Sequence, residues 1–351
     1  MVASGTVLVE MHDDCAAHRP GRGHPESPER LEAIRRGLER AHLGDTVRVV
    51  APTPASRAEL MRVHSVPYLN AMEAYCAAGG GRIDADTTVV EASWPAALAG
   101  AGAGGDAVAR LRRGEADAAF IAVRPPGHHA LPTRAMGFCV LNNVAVTAAA
   151  LAAAGERVLI VDIDAHHGNG TQEIFYRNDR VTYLSLHQWP LYPGTGALDE
   201  IGEEAGRGET VNLPMPAGAT GDVYLAAFDE VIAPVAERVG PTWLIISAGF
   251  DAHRADPLTN LGLSAGDYGD VVTRIAGLVA PGRRLVVLEG GYDLEALADC
   301  TATCVTALAG GALHLERATN GGPGRAAVDA ARALHLGDQA ESGGGPPEHR
   351  R

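Results

Sequence analysis

The chain is poor in aromatic residues, in cysteine and in positive charge. Phe, Trp and Tyr make up 5% of 351 residues. The formal net charge is −14, so the basic face of a nucleic-acid binder is missing. A negative balance suits cationic substrates, although it chiefly reports solubility. The five cysteines, Cys15, Cys76, Cys139, Cys300 and Cys304, form an odd set without a CxxC pair. That excludes a disulfide framework and reads as reduced thiols. Cys300 and Cys304, one helical turn apart, read as small buried side chains. No apolar stretch reaches the ~18 residues of a membrane span, and the start "MVASGTVLVEMHDD" lacks the features of a signal peptide. The expectation is a cytoplasmic protein with no membrane or nucleic-acid partner. Internal repeats are absent, and the choice between monomer and homo-oligomer stays open.

What the chain does have is alternation. Short β-branched runs, "TVLVEM", "VRVV", "AAFIAV", "RVLIVDID", "VTYLSL", "TVNLPM", "WLIISAG" and "RLVVLEG", are separated by Ala- and Leu-rich segments of helical length such as "NNVAVTAAALAAAG" and "DVYLAAFDEVIAPVAERVG". Near-continuous apolar strands are those of a parallel sheet covered on both faces. The expected class is therefore α/β, a large, mainly parallel sheet with helices on both sides. In "HPESPERLEAIRRGLER", Ser27 reads as N-cap, Pro28 as the first helical residue and Glu29 as a first-turn acid. "GAGAGG" at 100–105 follows no strand, and so reads as close helix packing rather than a phosphate loop. A single domain over residues 1–315 is expected, followed by a Gly- and Pro-rich extension, 316–351, whose last dozen residues should be disordered.

The polar residues are placed unusually. Four strands end in them: "AAFIAVRPPGHHA" in His128 and His129, "VLIVDIDAHHGNG" in Asp162, Asp164, His166, His167 and Asn169, "WLIISAGFDAH" in Asp251 and His253, and "LVVLEGGYD" in Glu289 and Tyr292. In a parallel sheet these ends share one edge, so the groups should meet in one crevice. Alternation along the strand sends Asp162 and Asp164 to one side, with His166 following. Carboxylates and an imidazole crowded there need a cation, and an Asp/His/Asp set suits Zn²⁺ with an open position. The two prolines of "RPPGHH" stiffen a turn that holds two imidazoles ready for acid–base work. Asp162 and Asn169 are the acceptors left over to fix their tautomers. Two glycines before Tyr292 allow a turn that brings its hydroxyl to the metal as an oxyanion donor.

Taken together, "HPESPERL", "RPPGHHA", "GFCVLNNVAVTA", "DIDAHHGNGTQEIFY", "YPGTG", "SAGFDAH" and "LEGGYD" resemble the zinc-dependent histone deacetylase superfamily, in order and spacing, over about residues 8 to 312. Asn169 and "LEGGY" are closer to its class II branch. The resemblance implies the arginase/deacetylase fold, one α/β domain around an eight-stranded, mainly parallel sheet. It implies one Zn²⁺ per chain on Asp164, His166 and Asp251, and catalytic roles for His128, His129, Tyr292, Asp162 and Asn169. It further implies substrate contacts from Gly137, Phe138 and Tyr192 (walls of an acyl-lysine tunnel) and from a rim carboxylate, Asp86 in preference to Asp84. Arg30 matches an arginine at the tunnel floor. A structural K⁺ would engage Asp162, Asp164, His166, Ser185 and Leu186.

The implied reaction is hydrolysis of an N-acyl amide, with an acylated lysine peptide or protein as partner. The superfamily also holds acetylpolyamine amidohydrolases and acetoin-utilisation proteins. The short "LHQWPLYPGTG" offers no inserted loop to narrow a tunnel for polyamines, which favours acyl-lysine. Two rivals are an arginase-like di-manganese ureohydrolase, which needs more convergent carboxylates, and a non-enzymatic reader of acetylated ligands, which has no use for an acid–base pair.

Overall fold

The computed structural model describes residues 5–337. Among the described residues ten strands are present: β1 (Val7–Glu10), β2 (Val47–Val50), β3 (Gly80–Arg82), β4 (Thr88–Val90), β5 (Ala118–Ile121), β6 (Val158–Asp162), β7 (Val181–Gln188), β8 (Thr210–Met215), β9 (Trp243–Ala248) and β10 (Arg284–Leu288). Eight form one sheet in the order β2-β1-β5-β10-β9-β6-β7-β8, every neighbouring pair parallel. These are the eight runs read from the sequence. Only the small antiparallel β3–β4 pair, rich in glycine, left no strand signal.

The sheet is buried on both faces, and alternate residues serve opposite layers. Val7, Val9, Phe120, Leu159, Val161, Ile246 and Val286 pack in one apolar cluster, while Leu8, Ala119, Ile121, Ile160, Ile245 and Val287 pack in the other. The first layer contains the helices Glu29–Arg40, Ala265–Ala276 and Leu294–Leu308, packed on one another, and the second the pair Ser93–Arg112 and Asn143–Ala153. Close approach explains Gly102 and Gly104: a Cβ at Gly104 would lie 2.9 Å from the Cβ of Thr147 on the neighbouring helix, and one at Gly102 would lie 2.6 Å from the Pro54 carbonyl carbon.

Two local expectations change. The helix expected from Pro28 runs Glu29–Arg40, and Ser27 does not cap it, since the preceding residue is Pro28 and no side-chain cap bond forms. Residues 316–337 are not detached from the body. Glu316 bonds the His253 ring at 2.7 Å, Thr319 bonds Asp267 at 2.7 Å, and the helix Arg325–Leu336 buries Val328 and Ala331 in the first layer. The last dozen residues lie outside the described residues. Cys300 and Cys304 are buried and unpaired, as expected. Among the described residues no helix is long and apolar enough to cross a membrane.

One buried ion cluster ties the N-terminal segment to the sheet. Glu26, Arg30 and Arg124 are all 0% exposed. Both oxygens of Glu26 bond Arg124, Oε2 at 2.7 Å, and Oε1 accepts from Arg30 at 3.3 Å. The His18 ring lies 3.4 Å away. Burial opposes the charge on Glu26, but Arg124, His18 and Arg30 outweigh it and hold the carboxyl well below its ordinary range. A depressed carboxyl stabilises the fold above its unfolded value of 4.5, and that contribution is lost as pH falls below it. Glu26→Gln leaves two buried guanidinium groups without a counter-ion and should cost roughly 3–5 kcal/mol at pH 7. Urea denaturation of both proteins at pH 7 and at pH 4 should show the gap closing in acid. A gap that is small at pH 7, or that widens in acid, would contradict this account.

Candidate active site

The four polar strand ends belong to β5, β10, β9 and β6, which are the four central strands of the sheet. Their level register, Asp162 opposite Ser247 and Leu288 opposite Ala248, delivers the following loops to one place. β6 stops at Asp162, so Asp164 and His166 come from the loop behind it. Asp251 follows β9. One donor atom from each of Asp164, His166 and Asp251 lies within 4.8 Å of the others. Backbone N–H groups aim the carboxylates: Gly290 N donates to Asp164 Oδ2, His166 N to Asp164 Oδ1 and Ala165 N to Asp251 Oδ1, each at 2.8 Å. His166 Nδ1 stands 2.8 Å from Asp251 Oδ2 and 3.3 Å from Asp164 Oδ1.

This donor set fits a divalent cation. The two carboxylates are almost wholly buried and share a single imidazole. Burial opposes charge on His166, but Asp164 and Asp251 overcome it and push the ring up to about 10. Burial and the neighbouring Asp164 push Asp251 up to about 7. A proton is thus held where a cation would relieve the same crowding.

The paired histidines sit beside this group, their rings 4.1 Å apart between centroids. His128 Nδ1 is 3.1 Å from Asp162 Oδ2, and its Nε2 is 3.9 Å from Asp164 Oδ2, so the ring stands between the two aspartates. Asp162 also accepts from the Tyr183 hydroxyl at 3.1 Å. His129 Nδ1 is 2.8 Å from Asn169 Oδ1, and with Nδ1–H donated there, Nε2 is left as the basic atom. The two rings differ electrostatically. Burial works against charge on both, but Asp164, Asp162 and Glu289 push His128 up to about 10. His129 falls well below its ordinary range through burial and the charges of His128 and His166.

Gly137 has φ +56°, and a Cβ there would press on the His129 ring, 2.8 Å from its Cγ; that backbone and that contact both call for glycine. Phe138 follows, edge-on to the Tyr292 ring at 5.7 Å. Tyr192 is edge-on to His129 at 5.2 Å and near His166 at 6.3 Å. The Tyr292 ring lies under the Arg30 guanidinium at 5.1 Å, and Arg30 also bonds the carbonyls of Gly291 at 2.8 Å and Glu289 at 2.6 Å. Burial raises the Tyr292 hydroxyl well above its ordinary value, so it stays a donor.

Not every expected residue joins the group. His253 bonds Glu316 instead. Asp84 is spent on its own turn, accepting from the N–H of Asp86 and Thr87, whereas the Asp86 side chain bonds Thr87, whose hydroxyl accepts from Phe138 N. Ser185 lies across from Asp162, with its hydroxyl 2.9 Å from His187, and Leu186 is the next residue of β7. Sequence reasoning missed His24, Asp256 and Tyr183. His24 packs edge-on to Phe138 at 4.7 Å and reaches the Asp86 carbonyl at 3.0 Å. Asp256 accepts from Tyr292 N at 2.7 Å. Only the presence of His24 in the quoted "HPESPERL" run, and of Asp256 three residues beyond "SAGFDAH", could have flagged them; Tyr183 carried no signal beyond its strand.

Comparison with known proteins bears on the family and the fold. A family model described as the histone deacetylase domain matches residues 24–308. A protein of Archaeoglobus fulgidus named "Probable deacetylase" is 40% identical over 293 residues, covering 82% of this chain and 81% of its own. The "Histone deacetylase-like amidohydrolase" of Pseudomonas aeruginosa is 38% identical over 294 residues, covering 82% and 77%. The crystal structure of the HDA15 HD domain superposes with a TM-score of 0.86 at 36% identity, over 94% of this chain and 96% of that one. An eight-stranded parallel sheet, a metal-ready triad at its central edge and a match spanning most of the length leave one assignment: the chain belongs to the histone deacetylase domain family.

Proposed function

We propose that the protein is a zinc-dependent hydrolase that removes acetyl or longer acyl groups from lysine side chains. The observation that carries this is the Asp164/His166/Asp251 group within 4.8 Å, set beside two imidazoles in opposite electrostatic states. Asp164, His166 and Asp251 would hold the Zn²⁺, one per chain, which when bound lowers the pKa of water to about 7 and polarises the acyl carbonyl.

The remaining chemistry belongs to the chain. His129, kept neutral with Nε2 free, takes the proton of the attacking water as general base. His128, cationic between Asp162 and Asp164, stabilises the anion that forms, and one of the pair then protonates the leaving amine. Asp162 and Asn169 orient the two rings. Tyr292 donates to the developing oxyanion. Phe138, Tyr192 and Gly137 line the path of the lysine stem, and Asp86, which shares Thr87 with Phe138, would hold the substrate backbone at the rim. A structural K⁺ would engage Asp162, Asp164, His166, Ser185 and Leu186; the register that sets Asp162 opposite Ser185 supports that reading.

Asp256 supports the one-metal reading over the di-manganese one: it is engaged by the N–H groups of Leu258 and Tyr292. An acetylated polyamine is the alternative substrate, decided by turnover of acyl-lysine peptides against acetylated polyamines. All 29 Lys-or-Arg residues are arginine, so no lysine of the chain itself can contribute acetate to that assay.

Asp164→Ala or Asp251→Ala should strip the metal from an otherwise folded protein and abolish turnover. Metal analysis should return one ion per wild-type chain and none per variant; two tightly held ions in the wild type would favour the ureohydrolase. Tyr292→Phe keeps the ring and removes one donor, which typically costs ~100- to 1,000-fold in kcat, about 3–4 kcal/mol. Its KM should move far less, and its metal content should match wild type. Activity within a few-fold of wild type would make Tyr292 a packing residue, and lost metal would mean that it has been given the wrong role.

A further inference from the structure

Glu289 is wholly buried, and no step of the proposed reaction uses it. Its Oε2 accepts two adjacent backbone N–H groups, Gly127 at 2.6 Å and His128 at 3.0 Å. Its Oε1 accepts from the Ser247 hydroxyl at 3.2 Å, and its own carbonyl is held by Arg30 at 2.6 Å. Strand order makes this reach available. β10 lies between β5 and β9, so a side chain just past its end can touch the turn after β5 on one flank and Ser247 of β9 on the other.

A buried carboxyl is a costly way to fill space. Here it satisfies two neighbouring N–H groups that would otherwise be orphaned in a dry interior. Those two groups open the turn that carries both histidines. On the far side the same turn is tied down by Thr171 N, which donates to the His128 carbonyl at 3.1 Å. His128 therefore has its N–H and its C=O fixed by different elements, and its ring direction follows from both.

We infer that Glu289 is a positioning residue: by binding the N–H groups of Gly127 and His128, it sets the height and direction of the His128–His129 pair over the metal triad. The inference rests on the proposed acid–base role of that pair. Its hold on the turn comes from reach and hydrogen bonding, which a neutral side chain of the same length can supply. A glutamine can make the same three bonds, with its oxygen accepting both N–H groups and its NH₂ donating to Ser247. An aspartate keeps the charge but is one methylene short.

The test is steady-state kinetics on an acetyl-lysine peptide with metal-loaded wild type, Glu289→Gln, Glu289→Asp and His129→Ala, with metal content measured on each. Glu289→Gln should stay within about tenfold of wild type. Glu289→Asp should lose roughly 100-fold in kcat, the usual penalty for an ångström-scale misplacement, with KM and metal content near wild type. If Glu289→Asp does not fold, Ser247→Ala replaces it, freeing Oε1 while keeping the charge, and should lower kcat several-fold at unchanged KM. A glutamine variant as impaired as the aspartate, or both variants at wild-type kcat, overturns the positioning role. No turnover by wild type, or full turnover by His129→Ala, overturns the acid–base reading instead.

Discussion

The carboxylate of Glu26 is clamped between two buried guanidinium groups, and the turns of the site hang from those guanidiniums. Arg124 opens the turn that delivers His128 and His129, and is itself pinned to the carbonyls of Cys15 and His18. Arg30 holds the carbonyls of Glu289 and Gly291 and lies against the ring of Tyr292. One buried anion thus links the first thirty residues to both turns of the candidate site. Buried ion pairs contribute little net stability over apolar packing, but breaking one strands a charge in a dry interior. The cluster is best understood as fixing where two loops sit.

The second constraint is electrostatic crowding at the sheet edge. Asp162, Asp164, Asp251 and Glu289 are all buried within reach of one another's fields, and the positive partners are two imidazoles. That arrangement separates the paired histidines: the aspartates push the His128 ring up, and burial with the charges of His128 and His166 pushes the His129 ring down. Identical side chains acquire different electrostatic settings from their neighbours, the kind of separation that acid–base chemistry at neutral pH draws on. The same crowding makes the triad a place for a cation.

Much of this was legible in the amino-acid order, because it depends on local pattern. Near-continuous apolar runs spelled out the eight sheet strands, since parallel strands are buried on both faces. Polar groups at four of those strand ends located the site, since parallel strands finish on one edge. Alternation was expected to put Asp162 and Asp164 on one side of a strand; the strand ends at Asp162, yet Asp164 in the loop behind it still faces the same His128 ring. His253, one alternation step beyond Asp251, was misread because the chain had left the strand and its ring found Glu316, 63 residues away.

The tertiary structure alone decided which polar residues are buried, and against what. Arg30 was marked by its motif, but Glu26 carried no signal of its own, and only the packing of their segment against the turns after β5 and β10 makes the two an interior ion pair. Glu289 and Ser247 are adjacent because β9 and β10 are adjacent, a fact of strand order that spacing along the chain does not contain. The sequence by itself settled the fold class and the residue types at the site, because periodicity and strand ends are short-range properties. The folded chain settled the partners, because a hydrogen bond between residues 98 or 162 positions apart depends on which strands lie side by side.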